Sequence, residues 1–306
     1  MNSKYQALCS QLKELVEFKF HVKQKKLNHQ QDLIVAQTGR HLAIKKGRGT
    51  TFSEIRQYQA GDDIRHLDWK VTARTQKAHT KVFVEENERP TILAIEQTPS
   101  LFFGSNTRLK IAQALNIGAI LGWVSLTHNE RVGGLCFNQE TQSWITAKRN
   151  HKSFLQLLQQ SIDLQTQITQ PAYSNSWPTA LNLLIQNHSP GHKIFLIGDM
   201  IQLSQNAQSQ LIQLKSNTDI TAIHIYDVLE HDLPKLGWLS MTDKLTNDEV
   251  IKLDSLSSET QQTYKETYQN QWLEAKSKFA QLNVPIFKIG THEDPLMSLI
   301  KHRLVQ

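Results

Sequence analysis

The sequence lacks several features that would place it in a well-defined class. It has two cysteines among 306 residues, Cys9 and Cys136, which lie far apart and form no CxxC pair. This excludes a zinc site built from cysteines and fits a reducing compartment. No apolar run approaches the roughly 18 residues that a membrane span needs, and the N-terminus lacks the apolar core of a signal peptide. We therefore predict a cytoplasmic protein that does not span a membrane.

Motifs for catalysis are also missing. The run Gly47-Arg48-Gly49 is not followed by Gly-Lys-Ser/Thr at the spacing of a phosphate loop. No serine or histidine lies in a recognisable nucleophile motif. We predict a non-catalytic protein.

The positive charge is concentrated in the N-terminal part. Residues 1–90 hold 17 Lys and Arg against 10 Asp and Glu, whereas the remaining residues are nearly balanced. A basic segment with Lys19, Lys23, Lys25 and Lys26 can mark contact with nucleic acid or an acidic protein, but a solvated helix face has the same pattern and is favoured, because no aromatic residues interleave with the last three of these lysines. Nucleic-acid binding through this part is therefore an alternative function.

Hydrophobic periodicity predicts a mixed α/β fold. Apolar residues at three- and four-residue steps in residues 4–20 predict an amphipathic helix. From residue 91 onward, short apolar runs alternate with helical stretches, which predicts a doubly wound, mostly parallel sheet with helices on both faces. The predicted strands are 91–95, 132–137, 193–198, 220–226 and 284–289, with 144–146 as an antiparallel edge, and the predicted helices are 109–126, 152–162, 178–186, 204–214 and 259–282.

The predicted organisation is an N-terminal extension followed by one α/β domain. Residues 1–90 would hold the amphipathic helix and a small β subdomain with extended pieces at 41–44 and 81–84. Residues 91–306 would form the α/β domain, in which 227–258 interrupt the alternation as a loop-like insertion.

Polar residues follow two of the predicted strands, at the edge where open α/β sheets bind ligands. Glu96, Thr98 and Ser100 come after the strand at 91–95, Asp199 comes after 193–198, and Ser176 precedes a helix. Hydroxyl and carboxylate oxygens are the ligands of Mg²⁺. The set resembles the metal-ion-dependent adhesion site of von Willebrand factor A-type domains, whose first loop reads Asp-x-Ser-x-Ser.

The loop departs from that pattern in ways that disfavour a metal. Glutamate at 96 is one methylene longer than aspartate, and Pro99 restricts the backbone around Thr98. The alternative is that Thr98 and Ser100 satisfy backbone groups, Glu96 pairs with a base and Asp199 forms a turn. We predict at most weak binding of Mg²⁺ or Mn²⁺.

A dense polar segment precedes these strands and resembles the signature of the domain-of-unknown-function 58 family. The matching pattern is RxYxxGDDxRxxDW, preceded by Gly47-Arg48-Gly49. The resemblance implies a von Willebrand factor A-like domain in an adaptor that works beside a MoxR-type AAA+ ATPase and presents a client protein for remodelling, assembly or activation. The signature residues are Arg56, Tyr58, Gly61, Asp62, Asp63, Arg65, Asp68, Trp69 and Arg74.

Within this segment, Arg65 lies three residues from both Asp62 and Asp68, which predicts that it bridges their carboxylates in a short helix. Trp69 would anchor the segment against the main domain. The alternative is a partner-binding surface, which an exposed Arg or Trp would favour.

A metal-assisted hydrolase is a further and weaker alternative. It would use the carboxylates of Asp62, Asp63, Asp68 and Glu85, but two-metal chemistry requires them to converge on a pair of ions.

Overall fold

Eight helices and ten strands are found in the part of the chain that the computed structural model describes. The described residues are 9–28, 51–59, 62–84, 89–105, 108–168, 176–201, 203–242 and 250–306. The helices are α1 Leu12–His21, α2 Trp69–Thr75, α3 Lys110–Thr127, α4 His151–Gln167, α5 Trp177–Asn187, α6 Gln205–Lys215, α7 Ser258–Gln281 and α8 Pro295–Lys301. The strands are β1 Thr51–Gln57, β2 His79–Val84, β3 Thr91–Glu96, β4 Val132–Phe137, β5 Gln142–Lys148, β6 Lys193–Gly198, β7 Asp219–Tyr226, β8 Trp238–Thr242, β9 Val250–Asp254 and β10 Ile286–Gly290.

Six of the strands form the central sheet. Their order is β10-β7-β6-β3-β4-β5, and all neighbours are parallel except β5, which is antiparallel at the edge. The chain leaves β3 for β4 on one side and later returns to β6 on the other. The strand order therefore reverses at β3 and β6, whose carboxyl ends are adjacent. The predicted fold class and the antiparallel edge at 144–146 are confirmed.

The two faces of the sheet are buried in separate cores. Along β3, Leu93 and Ile95 contribute to the core on the α3 side, whereas Ile92 and Ala94 contribute to the core that contains Trp177. This alternation follows from the two-residue side-chain period of a strand, and it explains why β3 is apolar throughout between Thr91 and Glu96. Each fully buried Ile or Leu contributes about 1.5–3 kcal/mol relative to exposure.

The first helix belongs to the α/β domain, which corrects the predicted boundary at residue 90. The chain divides into two compact units, residues 1–40 with 89–306 and residues 41–88. Leu15 and Val22 are buried in the core, and the indole N–H of Trp123 in α3 donates to the Leu15 carbonyl over 2.8 Å. The amphipathic face of α1 is thus part of the domain core rather than of a separate extension.

The smaller unit contains the antiparallel pair β1–β2 and helix α2. The extended piece expected at 41–44 lies outside the described residues. In the larger unit, the expected insertion at 227–258 contains a short 3₁₀ turn, Val228–Glu230, and the antiparallel pair β8–β9. Among the described helices, none combines the length and the apolar composition that crossing a bilayer demands.

Candidate functional site

The carboxyl group of Glu96 lies at the end of β3 and points into the protein. It is 1% exposed. Its Oε1 accepts from the Thr98 hydroxyl over 2.7 Å, and its Oε2 accepts from the indole N–H of Trp177 over 2.9 Å and from the backbone N–H of Asp199 over 2.8 Å. Burial and the nearby Asp199 carboxylate raise the pKa of Glu96 to about 7. The carboxyl group therefore joins the first loop to β6 and α5.

Gly198 makes room for the longer side chain of glutamate. A Cβ added at this glycine would lie 2.6 Å from the Glu96 Cβ and would also collide with its carboxyl group. Both the Cβ and the carboxyl group of Glu96 occupy space that a side chain at position 198 would otherwise fill. The pair Glu96 and Gly198 is consequently a matched packing unit.

A buried lysine provides the positive charge of the site. Lys110, the first residue of α3, is 1% exposed, and its Nζ lies 2.6 Å from Glu230 Oε1 and 3.2 Å from Asp199 Oδ2. Burial alone would lower the pKa of Lys110, but the two carboxylates outweigh burial and raise it. Burial alone would raise the pKa of Asp199, but Lys110 lowers it to about 2. Lys110 and Asp199 are therefore charged at neutral pH.

The imidazole of His224 lies beside Asp199, with its Nδ1 3.5 Å from Asp199 Oδ1. Its Nδ1 accepts from the backbone N–H of Met200 over 3.2 Å, so its Nε2 carries the proton, and Nε2 lies 3.3 Å from the Tyr268 hydroxyl. Burial lowers the pKa of His224 to about 4. The imidazole is uncharged at neutral pH and does not neutralise Asp199.

The position of Glu230 is set by a capping box at the end of β7. The backbone N–H of Asp227 donates to Glu230 Oε2 over 2.8 Å, while Asp227 itself caps the turn Val228–Glu230. Asp227 is fully buried and also accepts from the hydroxyls of Ser105 and Thr291. Glu230 Oε1 is thereby directed at Lys110.

In the smaller unit, the signature carboxylates are occupied by local contacts. Asp62 forms a two-pronged ion pair with Arg56, with Nη–Oδ distances of 2.7 and 2.8 Å. Asp63 accepts from the backbone N–H of Arg65 over 2.9 Å, and Asp68 caps α2 and lies 3.7 Å from the Lys81 ammonium. The prediction that Arg65 bridges Asp62 and Asp68 is wrong, since Arg56 and Lys81 take these places.

Other signature side chains are exposed. Trp69, the first residue of α2, is 71% exposed, and Ile64 is 68% exposed. Arg65 and Arg74 are exposed as well, and Tyr58 is half-buried. Within its own unit Trp69 is therefore not a buried residue, and its contact with the main domain stays a prediction. Gly61 lies outside the described residues.

The chain matches a known protein family over more than half of its length. The family described as "Protein of unknown function DUF58" matches residues 54–274, which include the signature from Arg56 to Arg74 and five of the six strands of the central sheet, β3 to β7. The chain belongs to the DUF58 family.

This DUF58 protein is similar to proteins without an assigned function. It is 26% identical over 211 residues to the uncharacterized proteins Rv1480 of Mycobacterium tuberculosis (strain ATCC 25618 / H37Rv) and Mb1516 of Mycobacterium bovis (strain ATCC BAA-935 / AF2122/97). The match covers 67% of this chain and 64% of each relative, so it spans less than two thirds of their length.

Solved structures with von Willebrand factor A-like features resemble it distantly. BatB from Bacteroides thetaiotaomicron has a TM-score of 0.43 at 15% identity, covering 71% of this chain and 96% of that chain. The von Willebrand factor type A protein from Catenulispora acidiphila has a TM-score of 0.37 at 8% identity, covering 72% of this chain and 42% of that chain. At these values the fold assignment depends on the sheet topology of the DUF58 chain itself.

The predicted metal ligands of this DUF58 protein come together in part, but their oxygens do not fit a divalent cation. The carboxyl group of Glu96 is held by three donors of the chain, and the Thr98 hydroxyl lies between Glu96 and Ser100, 2.7 Å from each. Asp199 Oδ1 accepts from the Ile201 N–H over 3.1 Å, which confirms its expected role in a turn. No cluster of three or more His, Cys, Asp or Glu suited to a metal is found in the described ranges.

The expectation that Glu96 pairs with a base is not met among the described residues, where its partners are Thr98, Trp177 and the backbone N–H of Asp199. The buried base of this region, Lys110, pairs with Asp199 and Glu230. Ser176 is buried at the start of α5, next to the Trp177 that binds Glu96. The residues directly before it, 169–175, lie outside the described residues. Sequence reasoning missed Lys110, Glu230, His224 and Asp227, although Asp227 and Glu230 carry the three-residue spacing of a capping box after a strand.

Proposed function

We propose that this DUF58 protein is a non-catalytic adaptor that works with a MoxR-type AAA+ ATPase in the remodelling, assembly or activation of a client protein. The observation that supports it is the exposure of Trp69 and Arg65 within the family signature. Tryptophan and arginine are the residue types that most often dominate the binding energy of protein interfaces. A cytoplasmic location, where ATP is available to the ATPase, is part of the proposal.

Contacts among residues of the smaller unit hold the backbone that carries Trp69 and Arg65. The ion pair of Arg56 with Asp62 closes the turn before them, and the Asp68 carboxylate caps α2 directly before Trp69. Fixing the backbone in advance reduces the entropy that is lost when a partner binds. An exposed tryptophan on an ordered segment is thus better suited to recognition than to packing.

The same contacts argue against the hydrolase alternative. Asp62 is paired with Arg56, and Asp63 and Asp68 accept from backbone N–H groups of their own segment. Glu85 lies outside the described residues. Carboxylates that serve as turn formers and helix caps point to separate backbone segments rather than to a shared pair of ions.

Nucleic-acid binding remains an alternative that no observation favours. The ammonium of Lys19 lies 5.7 Å from the centre of the Trp123 ring, and that of Lys23 lies 5.6 Å from the centre of the Phe20 ring. At least two lysines of the basic segment therefore make cation–π contacts within the chain.

The test uses the purified full chain and the MoxR-type ATPase of the same organism. We expect the chain to bind the ATPase and to change its ATP turnover, and we expect Trp69→Ala to weaken both effects, with a rise in Kd of about tenfold or more. Phe20→Ala is the matched control, because Phe20 is 63% exposed but lies outside the family match. Its variant should behave as the unaltered protein does.

Two results would overturn the proposal. One is the absence of both binding and any change in ATP turnover. The other is binding that Trp69→Ala and Phe20→Ala weaken equally, because the signature would then have no special part in recognition.

A further inference from the structure

We propose that the ammonium group of Lys110 performs the charge-balancing role of a divalent cation at the carboxyl edge of β3 and β6, so that the domain carries a tethered cation of its own. The site would then be complete without any metal. The inference is independent of the proposed adaptor role, because it concerns how the sheet edge is built and not which partner it meets.

The place of Lys110 is unfavourable for a lysine unless specific partners hold it. It is 1% exposed, so its ammonium has lost nearly all of its water. It is also the first residue of α3, where the positive end of the helix dipole repels a cation. Two carboxylates within 3.2 Å offset both effects.

Backbone N–H groups hold the two carboxylates in place independently of Lys110. Asp199 Oδ1 is fixed by the Ile201 N–H, which leaves Oδ2 for Lys110. Glu230 Oε2 is fixed by the Asp227 N–H, which leaves Oε1 for Lys110. Loops from the ends of β6 and β7 therefore direct one carboxylate oxygen each at a single point, and that point holds a positive charge.

The loop after β3 also differs from a metal-binding loop at Glu96, whose carboxyl oxygens are held by hydrogen bonds within the chain. Its oxygens accept from Thr98, Trp177 and the Asp199 backbone, whereas the ion pairs of Lys110 are with Asp199 and Glu230. Gly198 provides the space for this orientation. The longer acid, the glycine and the lysine form one consistent set of residues.

The experiment measures Mn²⁺ binding by the full chain, using the electron paramagnetic resonance signal of free Mn²⁺. The unaltered protein should not reduce that signal at millimolar Mn²⁺, and neither EDTA nor Mn²⁺ should shift its Tm. Lys110→Ala leaves two directed carboxylates without a cation. It should gain Mn²⁺ binding, with a Tm rise of about 2–4 °C at about tenfold excess over Kd.

Lys193→Ala is the matched control. Lys193 is also poorly exposed and lies at the opposite end of β6, but within the described residues it pairs with one carboxylate only, that of Glu130 at 2.7 Å. This variant should lose stability without gaining Mn²⁺ binding. Adding Asp199→Asn to Lys110→Ala should remove the gained binding.

If Lys110→Ala does not fold in buffer, refolding in Mn²⁺ and in EDTA replaces the titration. Recovery of folded protein in Mn²⁺ alone supports the proposal, and failure in both overturns it. A folded Lys110→Ala protein that does not bind Mn²⁺ also overturns it. So does Mn²⁺ binding by the unaltered protein that Asp199→Asn abolishes.

Discussion

The sheet-edge site and the family signature are both dense in charged residues, but they use them in opposite ways. At the sheet edge, Glu96 and Lys110 are each 1% exposed, and the charges of Lys110, Asp199 and Glu230 are paired with one another. In the signature, the carboxylates hold the backbone while Trp69 and Ile64 are left 71% and 68% exposed. The same residue types therefore bury one site and, at the other, hold a backbone that leaves large apolar side chains exposed.

We expect the largest loss of stability from substitution of Trp177, the tryptophan that donates a hydrogen bond to the buried Glu96. Trp177 packs edge-on against Phe137, with ring centres 4.9 Å apart, and donates its N–H to Glu96. Trp177→Ala should lower the free energy of unfolding by about 3–5 kcal/mol through the cavity it leaves. Trp177→Phe keeps most of the packing and should lower it by about 1–3 kcal/mol, because the buried Glu96 loses a donor.

Urea denaturation of both variants measures these differences. Equal losses for alanine and phenylalanine would mean that the hydrogen bond to Glu96, rather than ring packing, dominates this part of the site.

Removing the buried ammonium should have the next largest effect. Lys110→Met keeps most of the side-chain volume but leaves the Asp199 and Glu230 carboxylates to repel each other. We expect a loss of about 3 kcal/mol, the lower end for breaking a buried ion pair, since both carboxylates are partly exposed. Thermal and urea unfolding without added metal test this, and a loss no larger than that of Lys193→Met would contradict it.

The raised pKa of Glu96 predicts a pH dependence of stability. Its pKa is about 7 in the folded protein and about 4.5 when unfolded, so the folded state binds more protons between these values. The contribution of Glu96 to the stability of the folded protein is therefore greatest below pH 4.5 and is lost as the pH rises through 7. Glu96→Gln mimics the neutral acid, and it should be about 2 kcal/mol more stable than the unaltered protein at pH 8.

At pH 4.5 the two proteins should be equally stable. The groups that face Glu96 or the adjoining Asp199 are Lys110, which stays charged, and His224, which stays neutral between these pH values because its pKa is lowered to about 4. A difference between variant and unaltered protein that is the same at both pH values would show that Glu96 does not titrate in this range.

The smallest effect on stability is expected at the exposed signature. Trp69→Ala removes a side chain that is 71% exposed, so the free energy of unfolding should change by no more than about 0.5 kcal/mol. A loss comparable to that of Trp177→Ala, measured in the same urea series, would show that Trp69 is a packing residue after all.

Most of the fold follows from the sequence because burial leaves a periodic pattern. The apolar runs at 132–137 and 193–198 coincide with β4 and β6, and the helical pattern at 259–282 coincides with α7 to within a residue at each end. Residues that are buried on both faces of a sheet have to be apolar throughout, and this is visible without knowledge of any partner.

The site was less predictable because its contacts join distant parts of the chain. Lys110 lies 89 residues from Asp199 and 120 residues from Glu230 along the sequence. Nothing in the local pattern around Lys110 distinguishes it from an ordinary polar residue at a helix start. The positions of Glu96 and Asp199 at strand ends could be predicted, whereas the cation that meets Asp199 could not.

The signature misled in a different way. The three-residue spacing of Arg65 from Asp62 and Asp68 suggested a bridge, but the turn Ile64–His66 is a short 3₁₀ helix that does not continue through Asp68. Arg56 reaches Asp62 from the neighbouring strand β1 instead. Tryptophan is also buried more often than not, so its exposure at position 69 could only be learned from the structure.

Whether the ATPase is recognised at the family signature or at the sheet edge is tested most directly by one binding measurement on variants of both regions. The purified MoxR-type ATPase would be titrated with the unaltered chain, with Trp69→Ala and with Ser100→Ala, all in EDTA. The account predicts that Trp69→Ala raises Kd by about tenfold or more, as loss of an interface tryptophan does, and that Ser100→Ala leaves it unchanged. Weaker binding by Ser100→Ala together with unchanged binding by Trp69→Ala would contradict it, because recognition would then occur at the sheet edge.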